Sequence, residues 1–149
     1  MRRVEFVHVF VKNEDGIFLQ HRDNKPGIYD PDHLSAFGGH VDDEDYLQPR
    51  PFHHAALREL REEAGIEGLS LHPRGITRRK QPDIEGHEIL KVVHAYEASI
   101  PTGQQVECHE GQGAVFLPFG THLGQLGLKV SAITQDEIKR FYQNYFIVR

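Results

Sequence analysis

Residues 58 to 66 of this 149-residue chain read Arg-Glu-Leu-Arg-Glu-Glu-Ala-Gly-Ile. Wound as a helix at about 100° per residue, they place Glu59, Glu62 and Glu63 within an arc of roughly 100°, with Leu57, Leu60 and Ala64 on the adjoining arc. Such a helix is penalised locally. Glu59 and Glu63 are like charges at i,i+4 and Glu59 and Glu62 at i,i+3, each pair costing a few tenths of a kcal/mol. Acids near a helix C-terminus also oppose the macrodipole, and Arg58 offsets only part of this through Glu62. A solvated face has no need of three such acids, whereas a site for a hard divalent cation does, because carboxylate oxygens are its ligands. About twenty residues upstream, Gly38-Gly39 lets the backbone turn sharply and lets its carbonyls approach a ligand with no Cβ in the way.

These residues resemble the Nudix hydrolases. That family's signature is a Gly, five residues, a Glu, seven residues, then Arg-Glu-hydrophobic-X-Glu-Glu-X-Gly-hydrophobic. Residues 58 to 66 match its second half at every specified position, and Gly39 matches its first. Between the two halves the chain departs from the pattern. Counting forward from Gly39 reaches Asp45 where Glu is expected, and counting back from Arg58 reaches Arg50, so the loop is about five residues longer than usual and either Asp45 or Glu44 stands in for the glutamate. Beyond the signature, the segment Gln20-His21-Arg22-Asp23 is similar to the family's opening strands. His109-Glu110-Gly111-Gln112 is similar to the loop that supplies a further metal ligand in MutT-like members.

The resemblance implies an α+β fold, a Nudix-type α/β/α sandwich with a mixed β-sheet between helices. It also implies hydrolysis of a nucleoside diphosphate linked to a group X, releasing a nucleoside monophosphate and phospho-X. Polyphosphate and a glutamate cluster repel each other unless metal ions lie between them, and all-oxygen ligands select Mg²⁺, with Mn²⁺ as the alternative, over zinc. The expected ligands are Glu59, Glu62, Glu63, Glu110 and the Gly38 carbonyl. Glu59 is the expected general base, Glu110 the alternative; Glu62 and Arg58 complete the catalytic set, Arg58 by orienting Glu62 or a loop carboxylate. Arg22, Gly39 and His40 are the expected substrate contacts. His53 and His54 are neighbours on a helix and cannot share a face, so the eleven histidines give no two-His zinc pair.

The elements that must carry these groups follow from pattern. Val4 to Val11 and Ile17 to Gln20 read as two strands joined through Asn13-Glu14-Asp15-Gly16, a hairpin. Residues 23 to 32 form a Pro-punctuated loop, residues 33 to 37 a short strand, and residues 40 to 51 a long acidic loop. Pro51 as a first-turn residue and Gly65 just past the end bracket a helix over about 52 to 64. Strands are expected over 69–79, 87–100 and 114–119. A second helix opens with a capping box of Thr134 and Glu137, after which Ile138, Phe141, Tyr142 and Tyr145 follow at helical spacing.

Composition narrows the function. One domain over residues 1–149 is the expectation from length. Acidic residues outnumber Lys plus Arg by 22 to 17, net charge −5, which disfavours a nucleic-acid polymer or an anionic membrane as partner. Cys108 is the single cysteine, so there is neither an internal disulfide nor a Cys-rich zinc site. No stretch approaches the roughly 18 apolar residues of a membrane span, and the chain reads as soluble and cytoplasmic. A strand-edge homodimer fits a domain of this size. The competing reading is a non-catalytic, nucleotide-binding sensor module, motivated by the longer loop and the missing loop glutamate.

Overall fold

The computed structural model of the protein describes residues 1–147. The sheet is built from β1 (Arg2–Lys12), β2 (Gly16–His21), β3 (Leu34–Ser35), β4 (Phe37–His40), β5 (His72–Pro82), β6 (Glu88–Ser99) and β7 (Gly113–Pro118). The helices are α1 (Asp43–Tyr46), α2 (Pro51–Ala64) and α3 (Ala132–Phe141). The strand path is β3-β2-β1-β6-β5, with β4 also pairing β1 and β7 also pairing β2. β1 and β6 run parallel along their whole length, from Arg2 opposite Ile89 to Lys12 opposite Ser99, while the other pairings are antiparallel. The sheet is therefore mixed, as expected.

Alternation along β1 divides the core in two. Val7, Val9 and Val11 turn to one face and pack with Ala55, Ala56, Leu60 and Ala64 of α2. Phe10 turns to the other and packs with Ile138 and Tyr142, in and just beyond α3. Because the side-chain period of a strand is two, one strand buries both faces, and the sheet lies between α2 and α3 as a sandwich. The opening hairpin is narrower than its sequence suggests: only Val11–Phe18 and Lys12–Ile17 pair. Its turn is held by Asn13 Oδ1, which accepts from the N–H groups of Asp15 and Gly16. Farther along β1, the same edge is taken by β4, from Phe6 opposite His40 to Val9 opposite Phe37.

Three local expectations are corrected. Gly38-Gly39 is not a turn but the middle of β4. Gly38 has φ +147, and a Cβ there would fall on the Val7 carbonyl oxygen. The acidic loop holds a short helix, α1, which contributes the buried Asp45. Thr134 and Glu137 do not cap α3, whose N-cap is Ser131. Both are fully buried against the sheet, where Thr134 Oγ1 accepts from the Ala36 N–H (3.3 Å) and Glu137 Oε1 from His8 Nδ1 (2.5 Å). An apparent cap was a pair of core polar residues, and a capping pattern read without knowledge of burial cannot separate the two.

β5 forms one edge of the sheet, and its exposed Arg78 and Lys80 are the kind of charges that discourage further strand pairing there. Among the described residues no helix is long and apolar enough to cross a membrane.

Candidate active site

α2 starts where its sequence dictates, with Pro51 in the first turn, and stops where Gly65 takes up φ +66. Ala55, Ala56, Leu60 and Ala64 fix its rotation by burying one stripe against the sheet. That rotation turns Glu59, Glu62 and Glu63 toward β4, and together with Gly38, Gly39 and Glu110 they line one cavity of 340 Å³. The Gly38 N–H donates to Glu63 Oε1 at 2.6 Å. The Glu59 carboxylate lies against Gly39, 2.7 Å from where a Cβ would stand. The glycine pair is thus needed for close approach, of β4 to β1 at Gly38 and of a carboxylate to β4 at Gly39.

Arg58 is the hub of this face. Its Nη2 donates to Asp45 Oδ2 (2.8 Å) and to the His40 carbonyl (3.1 Å), and its Nη1 to Glu59 Oε1 (2.9 Å) and Glu62 Oε2 (3.3 Å). One guanidinium therefore ties α1, the end of β4 and two carboxylates of α2, using its planar fork of donors as such groups do. Of the two acids left open by the sequence, Asp45 is the one that meets Arg58. It also accepts from His54 Nδ1 (2.7 Å) and the Asp42 N–H (2.8 Å). Burial alone pushes the Asp45 carboxyl up, but the hydrogen bonds from Arg58, Asp42 and His54 outweigh it and hold the pKa at about 2.

The Glu59 and Glu63 carboxylates are in the opposite condition. Burial, then the neighbouring charges of Glu62 and Glu110, outweigh Arg58 and push Glu59 up to about 7. Burial and the charge of Glu59 push Glu63 up to about 8. Two buried carboxylates with too little positive charge beside them are what a bound cation relieves, and the all-oxygen donor set suits a hard divalent ion. The groups line the cavity without forming a closed cage: among the described residues no three His, Cys, Asp or Glu side chains are gathered tightly enough to hold an ion as they stand. Their oxygens are partly engaged elsewhere, Glu63 by Gly38 and Glu59 and Glu62 by Arg58.

Glu110 arrives on a loop held to its surroundings at two points and braced once within itself. The His109 N–H donates to the Glu63 carbonyl at 2.6 Å, Gln20 Nε2 to the Glu110 carbonyl at 3.2 Å, and Cys108 Sγ also reaches that carbonyl. Arg22 and His40 line the same cavity. Arg22 is half committed, since its Nε donates to the Tyr29 carbonyl (2.7 Å) and so anchors the loop over 23–32. His40 lies 4.2 Å from the Phe6 ring, and burial and the charge of Lys91 lower its pKa, keeping the imidazole neutral.

Part of the cavity was not read from sequence. His8, Lys91 and Ser131 line it too. The signal for Lys91 was present: in β6 it shares the face of Ile89, Val93 and Ala95, all buried, and a lysine in an apolar stripe is out of place.

The NUDIX domain profile matches residues 1–126. Among curated proteins none matches the chain. Among solved structures, the chain is similar to the NUDIX domain of Shewanella oneidensis NrtR complexed with ADP ribose, at 15% identity, TM-score 0.69, covering 97% of this chain and 89% of that one. It is also similar to the E. coli dihydroneopterin triphosphate pyrophosphohydrolase, at 18% identity, TM-score 0.70, covering 97% and 99%. A C. elegans Ap4A hydrolase matches at 20% identity, TM-score 0.58, covering 93% and 86%. At these identities the likenesses establish the fold.

Proposed function

The chain belongs to the NUDIX domain family, and from that premise we infer that it is a pyrophosphohydrolase that cleaves a phosphoanhydride bond in a nucleoside diphosphate linked to a further group X. The products are a nucleoside monophosphate and phospho-X, and the reaction requires Mg²⁺ or Mn²⁺. The observation that carries this reading is the set of four carboxylates, Glu59, Glu62, Glu63 and Glu110, lining one cavity with the glycines of β4. Glu59, Glu62, Glu63, Glu110 and the Gly38 carbonyl are the groups that would hold the ion. A divalent cation supplies charge screening of the phosphates and acidifies a water. The related structures carry ADP ribose in one case and act on dinucleoside or pterin polyphosphates in others, all phosphoanhydrides, which supports the substrate class.

The chain's own residues account for the rest. Glu59, held by Arg58 and lying against Gly39, takes the proton of the attacking water as its oxygen forms a bond to phosphorus in line with the leaving phosphate. The P–O bond of the anhydride breaks and its electron pair leaves on that phosphate. Arg58 keeps Glu59 and Glu62 aimed inward while its own charge is satisfied by Asp45, so it serves as a positioning residue. Arg22 and His40, on the cavity wall, meet the substrate.

The sensor reading drew on the longer loop and the absent loop glutamate; Asp45, on the short helix within that loop, meets Arg58, which supports the hydrolase reading over it. A pyrophosphatase screen over nucleoside triphosphates, ADP-ribose, nucleotide sugars and dinucleoside polyphosphates, with Mg²⁺ and with EDTA, tests the proposal. Turnover of at least one class with Mg²⁺ only is expected; tight nucleotide binding with no product in any arm would overturn it.

A further inference from the structure

Besides the carboxylates and glycines, the cavity has a second group of lining residues. Lys91 is only 4% exposed. Its ammonium stands 4.4 Å from the centre of the Phe6 ring and 5.1 Å from that of Tyr29. Aromatic faces steady a desolvated cation but accept no hydrogen bond from it in the ordinary sense, and no residue among those described pairs with it or accepts from it. Burial, the leading cause, lowers its pKa to about 8. The same cavity is lined by Ser131, 1% exposed, whose hydroxyl has no hydrogen-bond partner and does not cap α3 although it occupies the N-cap. His8 lines the cavity as well, with Nδ1 donating to Glu137. A neutral imidazole that donates from Nδ1 presents Nε2 as an acceptor, and Nε2 has no hydrogen-bond partner among the described residues.

A buried hydroxyl without a partner, beside an ammonium of a buried lysine that no protein group accepts from, is costly unless a ligand completes the pair. The surroundings decide which ligand. Phe6, Tyr29 and Ile133 form apolar and aromatic walls beside the Asp30 carboxylate, whose charge acts on Lys91 against that of Arg22; a phosphate would lose its hydration next to that carboxylate, whereas a flat neutral heterocycle loses little there and gains ring contacts. Lysine only donates and His8 Nε2 only accepts in this tautomer. The complement is a ring edge carrying a carbonyl oxygen beside an N–H.

Resting on the hydrolase reading for the role of the carboxylates, we propose that Lys91, with Ser131 and His8, forms a specificity subsite for a keto-type ring. The substrate would present a lactam edge, as guanine, hypoxanthine and uracil do, with its carbonyl oxygen accepting from Lys91 Nζ and its N–H donating to His8 Nε2. Rings with an exocyclic amine at that edge, such as adenine, set a donor against the ammonium and are disfavoured, because a site built to hydrogen-bond one edge rejects an analogue that leaves its polar groups unpaired.

The test compares kcat/KM for GTP, ITP and UTP with that for ATP, in the unmodified protein and in Lys91→Met and Ser131→Ala. Kd values for GMP and AMP by calorimetry form a second arm that needs no turnover. The unmodified protein should favour the keto set by about tenfold or more. Lys91→Met should erase that preference, lowering the keto set while relieving the donor clash that disfavours ATP. Ser131→Ala removes an unpartnered hydroxyl, leaves folding intact, and should reduce the preference in part. An equal loss for all four nucleotides, or an unchanged preference in both variants, would overturn the subsite. Should no nucleotide be hydrolysed, the hydrolase reading falls while the GMP against AMP comparison still decides this one. Equal affinity, or no binding of either, would overturn it.

Discussion

The carboxylate of Glu59 occupies the space in which a side chain at position 39 would stand: a Cβ built on Gly39 meets Glu59 Oε1 at 2.7 Å. The backbone at Gly39 carries no positive φ, so alanine is conformationally allowed there. Its methyl would displace the end of a flexible side chain, at a stability cost of about 1 kcal/mol. Displacing a catalytic group by about 1 Å costs roughly a hundredfold in rate. Gly39→Ala should therefore melt close to the unmodified protein while kcat falls by about that factor, and thermal unfolding beside steady-state kinetics would show the dissociation.

The Asp45–Arg58 pair bears on stability. Removing one partner of a buried ion pair costs about 3 kcal/mol, so Asp45→Asn should lower the melting temperature by roughly 5–10 °C. The pH dependence has a definite sign. The Asp45 pKa is about 2 in the fold against about 3.9 unfolded, so its contribution is complete above pH ~4 and lost as the pH falls toward 2. Urea unfolding at a series of pH values should show the gap between protein and variant narrowing over that interval, and a gap independent of pH would count against the pair.

Glu63 joins stability to metal. Its carboxylate is buried beside Glu59 and pushed up to about 8, so without metal Glu63→Gln should raise the melting temperature by relieving repulsion while keeping an acceptor for the Gly38 N–H. With Mg²⁺ at a hundred times its Kd the unmodified protein should gain about 2.7 kcal/mol, and the variant much less. The same substitution, like Glu62→Gln, should cost about a hundredfold or more in kcat. Calorimetric melts with Mg²⁺ and with EDTA would separate the two effects; an equal metal-induced shift in the variant would remove Glu63 from the ligand set.

Lys91 gives an alkaline counterpart. Burial lowers its folded pKa to about 8, below an unfolded value of about 10.4. Between those values the unfolded chain binds more protons, so this residue's contribution to stability rises with pH across the window. In Lys91→Met that portion of the rise should vanish, as chemical unfolding at pH 7, 8, 9 and 10 would reveal.

Much of this architecture was legible because its signals are local. The i,i+3 and i,i+4 spacing of Glu59, Glu62 and Glu63, with Pro51 and Gly65 at the ends, specified a helix and its polar face without knowledge of its neighbours. What was not legible depends on contacts distant in sequence. Gly38 and Gly39 read as a turn because the demand on them comes from Val7 and Glu59, and nothing in the glycine pair itself says that another backbone or a carboxylate will occupy the missing side chain's place. Thr134 and Glu137 imitate a capping box until Ala36 and His8 are brought against them. Asp45 could not be chosen over Glu44 until α1 turned one of them inward to Arg58. Lys91 was the nearest miss, since the alternation of β6 already placed it among apolar residues.

The parallel pairing of β1 with β6 joins residues more than eighty positions apart, and the cavity is divided across that seam. Phe6 and His8 enter from one side and Lys91 from the other, while the acidic helix is threaded between them in the chain. A nascent or truncated polypeptide ending before residue 88 would own the whole acidic signature yet lack the strand that β1 leans on. The signature by itself is therefore only part of a site: the cavity it lines is complete only once the far half of the chain has come home.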